Sequence, residues 1–443
     1  MTRPNILVVV GDDIGLEQYT RFARGSNYPT TPTLNAWFDG GVRFTNFYVE
    51  QLCSPTRVAF HASLHPSDTG IGDLVRGPLS LSSIGNGLSP RFNALPILMR
   101  SAGYATACFG KFHIGQQSTG GTLAPLTMGY DHFSGNLFNI QNPDGYYHWP
   151  RVEAGQERYE TMFHSERIVR EALDWIRGMG TDPWFCYLPF FAAHTPNTSA
   201  NMPPSGTYDS GRWTTPSDAD HAFKAHIEAH DYYLGWLAQR IPAPVWQNTI
   251  VCYFSDNGSG NANLAVVTDP LTGTLYPSTH GKDTPYDPGI HTPMLFYSPG
   301  GLLAAPGRTV SNLVHVVDLM PTIVELGGGT LPDYTLRGVS LVPYLNNTSS
   351  APVHPMVYSE HFLQNGATSD AEKTENQWAM YDGTYVLMYD QPLNSGATWR
   401  FFNLSTDPHQ LTNLIASGLG ALTAPQRAAY DALLSGREAI VNP

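Results

Sequence analysis

Two acidic residues, Asp12 and Asp13, stand just after the apolar run Ile6 to Val10. Adjacent buried carboxylates repel each other unless a cation or a proton comes between them. A hard divalent metal with oxygen ligands meets that need, and so does a loop in which one Asp caps the next helix. Asp256, Asn257 and Gly258 follow a second apolar run, 249–254, in the same manner. They add a carboxylate and an amide oxygen to the set, although Asp-Asn-Gly is also a strong turn sequence. Cys53-Ser54-Pro55-Thr56-Arg57 opens a helix-like stretch, and Pro55 suits a first helical turn. Cys53 then sits where unpaired N–H groups and the helix dipole attract anions, and Arg57 offers a two-pronged contact to an oxyanion. The same stretch also reads as a half-buried Cys beside a helix start. Cys53 and Arg57 stand too close for a loop of amides that wraps a phosphate, as a Cys-dependent phosphatase would need.

The lysines are few: Lys111, Lys224, Lys282 and Lys373. Lys111 lies in Gly110-Lys111-Phe112-His113, and Lys282 in His280-Gly281-Lys282-Asp283. Glycine-flanked lysines beside histidines suggest contact with an anion more than solvation. His194 follows the apolar run 184–190, where a structural histidine is the plainer alternative. Together these residues offer carboxylates for a cation, cations for an anion, two histidines (His113 and His194) for proton transfer, and one cysteine unlike the rest.

For such groups to meet, the elements that carry them must end at a common edge. In open α/β sheets, ligands bind outside the carboxyl ends of the strands. Apolar, β-branched runs predict strands over 5–10, 42–49, 105–109, 184–190, 249–254 and 294–297. Apolar periodicity predicts helices over 95–100, 159–177, 218–240 and 317–326. Their alternation predicts an α/β fold, a large mixed and mostly parallel sheet flanked by helices. After about residue 345 the pattern turns to short strands over 356–358, 377–381, 385–389 and 399–403, with a closing helix over 424–434. This predicts a catalytic unit over 1–345 and a small antiparallel-sheet subdomain over 346–443. Asn346-Asn347-Thr348 matches a glycosylation sequon, which means little without a secretory leader.

The chain has 443 residues, 42 % of them hydrophobic, so it can bury a sizeable core. Its net charge of −13 excludes nucleic acid as the main partner, because phosphate backbones need a basic surface. Any anion site must be built locally. No run approaches the roughly 20 apolar residues of a membrane span. The first ten residues show no secretory leader, so a cytoplasmic location, or a leader already removed, is expected. Cys108, Cys186 and Cys252 lie in apolar strands and read as small core residues.

Cys53-Ser54-Pro55-Thr56-Arg57 resembles the Cys-X-Pro-X-Arg signature of the type I sulfatases, members of the alkaline-phosphatase-like superfamily. The likeness extends to Pro4-Asn5-Ile6-Leu7 with Asp12-Asp13, to residues 102–115, and to Ala193-His194-Thr195-Pro196. It continues through Ser255-Asp256-Asn257-Gly258, residues 289–293 and Asp318-Leu319-Met320-Pro321-Thr322, and ends at Asp407-Pro408 with Asn413-Leu414. Phe112 stands where Trp is usual, and His291 where Arg is common. The resemblance implies that a formylglycine-generating enzyme oxidises Cys53 to Cα-formylglycine during maturation. It implies a Ca²⁺, or Mg²⁺, held by Asp12, Asp13, Asp256, Asn257 and the diol oxygen of residue 53. Lys111, Lys282 and Arg57 are implied around the sulfuryl oxygens. His194, with Lys282, is the implied proton donor to the leaving alcohol, and His113 the acceptor of the second diol proton. The expected substrate is an aryl or small alkyl sulfate; a phosphonate monoester or phosphodiester is the alternative for the same pocket. Aromatics in the loops 116–150 and 197–215 are expected either to line an apolar leaving-group pocket or simply to pack. Oligomeric state is not legible.

Overall fold

The computed structural model describes residues 3–77, 87–141, 143–215, 218–367 and 369–441. Of the loop 116–150, Asn142 therefore lies outside the described residues. The strands are, in chain order, β1 (Asn5–Gly11), β2 (Val42–Phe44), β3 (Phe47–Tyr48), β4 (Ala105–Phe109), β5 (His132–Gly135), β6 (Trp149–Glu153), β7 (Gln156–Glu160) and β8 (Trp184–Pro189). They continue as β9 (Thr249–Ser255), β10 (Met294–Tyr297), β11 (Arg308–Val310), β12 (Val314–His315), β13 (Val357–Leu363), β14 (Glu375–Tyr381), β15 (Tyr385–Gln391) and β16 (Thr398–Asn403).

Ten of them form one sheet in the order β11-β2-β10-β9-β1-β8-β4-β5-β6-β7. The central five, β9 to β5 in that order, are parallel. The strands β10, β6 and β7 run against their neighbours. The fold is the expected α/β one.

β1, β8 and β9 are buried throughout because helices cover both faces, and their sequences are accordingly almost continuously apolar. Alternate residues part to the two sides. Ile6, Val8 and Val10 pack with Val58, Phe60, Leu95 and Ile323, which come from the helices Cys53–Ala62, Leu95–Ser101 and Leu319–Leu326. Leu7 and Val9 pack with Ile168, Leu173, Phe223 and Leu234, which come from His164–Gly178 and Ala219–Ala238.

The strands β13 to β16 form a separate antiparallel sheet. One of its faces packs on Tyr48, Ile290 and Leu313, and the other lies under the helix Ala424–Val441 through Tyr430 and Leu433.

Some local expectations are corrected. The run 42–49 is two strands in different sheets, β2 and β3. The helix expected over 159–177 begins at His164, since Tyr159 and Glu160 belong to the edge strand β7. The helix expected from 218 begins at Ala219, and the Asp218 side chain caps it by accepting from the Asp220 amide.

Candidate active site

β1 and β9 pair in register, Gly11 opposite Ser255, so Asp12 and Asp256 leave the sheet side by side at its carboxyl edge. Ser255 Oγ ties the two exits together, accepting from the Ile14 amide at 3.1 Å and donating to the Gly11 carbonyl at 3.2 Å. Asp13 has a φ of 63°, a left-handed turn that Asp tolerates better than most residues. Asn257 Nδ2 donates to Asp13 Oδ1 at 2.7 Å. Gly258 is needed here, because a Cβ would fall 1.8 Å from the Pro288 carbonyl oxygen.

Cys53 is the first residue of the helix Cys53–Ala62, every residue of which is buried. Its Sγ lies 3.6 Å from Asp12 Oδ1, 3.4 Å from Lys111 Nζ and 3.5 Å from Lys282 Nζ. Lys111 follows β4 and donates to Asp12 Oδ2 at 2.5 Å. Lys282 donates to Asp13 Oδ1 at 2.6 Å. Arg57, one helical turn beyond Cys53, turns its guanidinium to Asp256 Oδ2, with Nε at 3.0 Å and Nη2 at 2.8 Å. Its Nη1 donates to the Lys111 carbonyl at 2.6 Å. Arg57 thus holds a carboxylate and a backbone turn, where an open oxyanion contact was expected. Three carboxylates and three cations meet here, so the cluster is formally neutral.

Burial opposes the ionisation of Asp13, yet Lys282, then Lys111 and the hydrogen bond from Asn257, hold it well below the usual carboxylate range. Burial and the neighbouring Asp12 push Asp256 up, against the pull of Arg57. Burial, reinforced by Asp256, pushes the Cys53 thiol up to about 12, so it stays protonated at neutral pH. Burial and then Lys111 push His113 well down; burial and then Lys282 push His194 down to about 3. Both rings are therefore neutral at pH 7. His194 Nε2 lies 3.9 Å from Asp13 Oδ2, which for a neutral ring is no ion pair. Its Nδ1 donates to the Thr195 carbonyl at 2.8 Å. His113 has a φ of 58°, its carbonyl accepts from Ser54 Oγ at 2.7 Å, and its buried Nδ1 has no partner among the described residues.

The donor set suits a hard divalent cation. Ligand atoms of Asp12, Asp13, Cys53 and His194 all lie within 4.8 Å of one another. Asn257 Oδ1 is buried and lacks a hydrogen-bond partner among the described residues, as an oxygen kept for a cation would.

All the predicted site residues collect at this edge. Sequence reasoning missed what supports them. Ser259 Oγ accepts from the Gly15 amide at 3.0 Å and bonds to the buried Glu17, bracing the loop behind Asp13. The position of Ser259 just after Asp256-Asn257-Gly258 was the available signal. Beside His194 opens a cavity of about 540 Å³, lined by Asn139, Ile140, Gln141, Asn197, Thr198 and Asn263 among others. Of the two readings of the loop aromatics, packing holds. Tyr146, Trp149 and Trp213 are buried in the body of the protein, and the cavity wall is mostly apolar in surface, with the amides of Asn139, Gln141, Asn197 and Asn263 set into it.

A helix-covered, mostly parallel sheet that gathers carboxylates, lysines and a helix-borne cysteine at one edge has an alkaline-phosphatase-like fold. The phosphonate monoester hydrolase of Agrobacterium radiobacter superposes with a TM-score of 0.70, at 19 % identity, over 99 % of this chain and 96 % of that one. The chain belongs to the sulfatase family, whose profile matches residues 4–329. A second profile, described as N-sulphoglucosamine sulphohydrolase, C-terminal, matches residues 279–422. Arylsulfatase A of Bos taurus is 28 % identical over 463 residues, spanning 94 % of this chain and 84 % of the relative. N-acetylgalactosamine-6-sulfatase of Homo sapiens is 28 % identical over 365 residues, spanning 77 % and 66 %. Among the described residues no helix is long and apolar enough to cross a membrane.

Proposed function

We propose that the protein hydrolyses sulfate monoesters to an alcohol and inorganic sulfate, with residue 53 as nucleophile once Cys53 has been oxidised to Cα-formylglycine. The observation that carries this reading is the cage around Cys53 Sγ, where Lys111, Lys282 and Asp12 all lie within 3.6 Å. The hydrated aldehyde offers two hydroxyls, one to attack sulfur and one to expel sulfate afterwards. Asp12, Asp13, Asp256 and Asn257 would hold a Ca²⁺ or Mg²⁺, which would supply Lewis acidity to a hydroxyl of residue 53 and to a sulfuryl oxygen.

This chain's own residues do the rest. Lys111 and Lys282 flank the sulfuryl group and take up the charge that builds on its oxygens. Arg57 grips the Asp256 carboxyl and fixes the Lys111 backbone. Lys282, a charged ammonium, carries the proton for the departing alcohol, and His194, a neutral ring whose Nδ1–H is held by the Thr195 carbonyl, borders both residue 53's cluster and the cavity and positions that alcohol. His113, a neutral ring with a free nitrogen, accepts the last proton.

The cavity wall is mostly apolar in surface, with amide groups of Asn139, Gln141, Asn197 and Asn263 set into it, which suits an alcohol with an apolar body and a few polar groups. Because phosphonate and sulfate are alike in shape, some turnover of phosphonate monoesters is part of the proposal. The test compares kcat/KM for p-nitrophenyl sulfate, p-nitrophenyl phosphate and p-nitrophenyl phenylphosphonate, using protein co-expressed with a formylglycine-generating enzyme. A sulfate preference that vanishes in Cys53→Ala is expected. A phosphonate preference would transfer the protein to phosphonate monoester hydrolysis.

A further inference from the structure

A second group of metal-ligating side chains lies away from the cluster around Cys53. Glu50 stands three residues before Cys53, His65 three residues after the helix that Cys53 begins, and His315 at the end of β12. The pairing of β12 with β3, His315 opposite Tyr48, brings residues from distant parts of the chain together. His65 Nδ1 is 3.1 Å and His315 Nε2 is 3.8 Å from Glu50 Oε1, and one ligand atom of each residue lies within 4.8 Å of the others. A tetrahedral cation with bonds of about 2.0–2.1 Å spaces its donors about 3.3–3.4 Å apart, between those two separations.

The second observation is His315 itself. It is 2 % exposed, and its Nε2 has no hydrogen-bond partner among the described residues although it points at the Glu50 carboxylate. Its Nδ1 accepts from the Val317 amide at 3.4 Å, a bond long enough to be given up when a cation takes the Nε2 lone pair and the ring proton moves to Nδ1. The Glu50 carboxylate is oriented to join it, because Oε2 accepts from the Glu360 amide at 2.9 Å and Oε1 faces both histidines. A cavity of about 240 Å³ borders His65 and His315, with Arg337, His354 and Tyr358 also on its wall. It supplies an entry route and room for a water as fourth ligand.

We propose that Glu50, His65 and His315 bind a divalent transition metal, Zn²⁺ by the match of two imidazoles and one carboxylate. The ion would pin the segment that leads into Cys53 to the far end of the Cys53 helix, to β12 and, through Glu360, to the C-terminal sheet. This site shares no residue with the hard-cation site.

Co²⁺ serves as the probe, since a tetrahedral site with two imidazoles gives it visible absorption. The full-length protein is saturated with Ca²⁺ and carries Cys53→Ala, so that no thiolate contributes. One equivalent of Co²⁺ with a visible band, displaced by Zn²⁺, is expected. Glu50→Gln and His315→Ala should each weaken it more than about 100-fold, since even outer-shell losses cost about 10–100-fold. Glu50→Gln keeps the shape of the side chain and carries the test if His315→Ala fails to fold. Absence of the band overturns the proposal. So does a band that survives Glu50→Gln, or one lost in Asp13→Asn, which would assign the ion to the site at residue 53.

Discussion

Replacing His230 by Leu should make the stability of this protein less sensitive to acid. His230 is wholly buried in the helix Ala219–Ala238, with its ring 4.1 Å from that of Phe190. Neither ring nitrogen has a hydrogen-bond partner among the described residues, and burial alone lowers its pKa from 6.5 to about 3. The unfolded chain takes up a proton below pH 6.5, whereas the folded chain does so only near pH 3. Folding must release that proton, so stability is complete above pH 6.5 and falls as the pH drops. The slope is about 1.4 kcal/mol per pH unit for each such group, which makes the loss about 2 kcal/mol at pH 5. His226, one turn earlier, is lowered to about 3 as well, again mainly by burial. Its ring stacks on Tyr146, whose hydroxyl donates to the His194 carbonyl at 2.7 Å, so acid strain on this helix bears on the site. Urea unfolding of wild type and His230→Leu at pH 7.5 and pH 5, at fixed Ca²⁺, measures the effect. The variant should gain about 2 kcal/mol on wild type between the two conditions. A gain under about 0.5 kcal/mol would show that the ring finds a partner or a proton in the folded state, and would refute the reasoning.

Two further outcomes are expected. Asp256→Ala should lose the hard cation and turnover together, and leave Arg57 buried without its carboxylate, at a cost of about 3–5 kcal/mol. Metal content by mass spectrometry, turnover and the urea midpoint check it, and normal turnover without metal would remove the assigned site. His194→Ala should slow esters of poorly acidic alcohols by about 100-fold or more while leaving p-nitrophenyl sulfate much less affected. Equal losses on both would remove His194 from service to the leaving group.

The site was more legible than the periphery of the fold, for physical reasons. Asp12 and Asp256 were readable as neighbours because each follows a strand buried on both faces, and such strands announce themselves as unbroken apolar runs. Cys53 was readable because proline in a first turn fixes where a helix starts. β7 was hidden because Gln156–Glu160 lies almost wholly in solvent and carries no apolar alternation, and its pairing with β6 depends on a turn at Ala154 and Gly155, both with positive φ. The Glu50, His65 and His315 group was hidden for another reason. Nothing local marks His315 as a neighbour of Glu50; a two-residue parallel pairing of β3 with β12 joins them. The amides set into the cavity wall were missed because aromatic loop residues promised a pocket, and burial in the body of the protein claimed those first.

The burial of the whole helix Cys53–Ala62 is more than packing, because it also sets an order in time. On the function proposed above, an enzyme that oxidises Cys53 has to reach it, and the finished fold buries the whole helix that Cys53 begins. Conversion would then compete with folding during synthesis and stop when the sheet closes. The fraction of active molecules would be decided once, at birth, and later oxidation of the folded protein would add nothing to it. Overproduction that outruns the modifying enzyme would leave a permanent population that is folded, stable and silent.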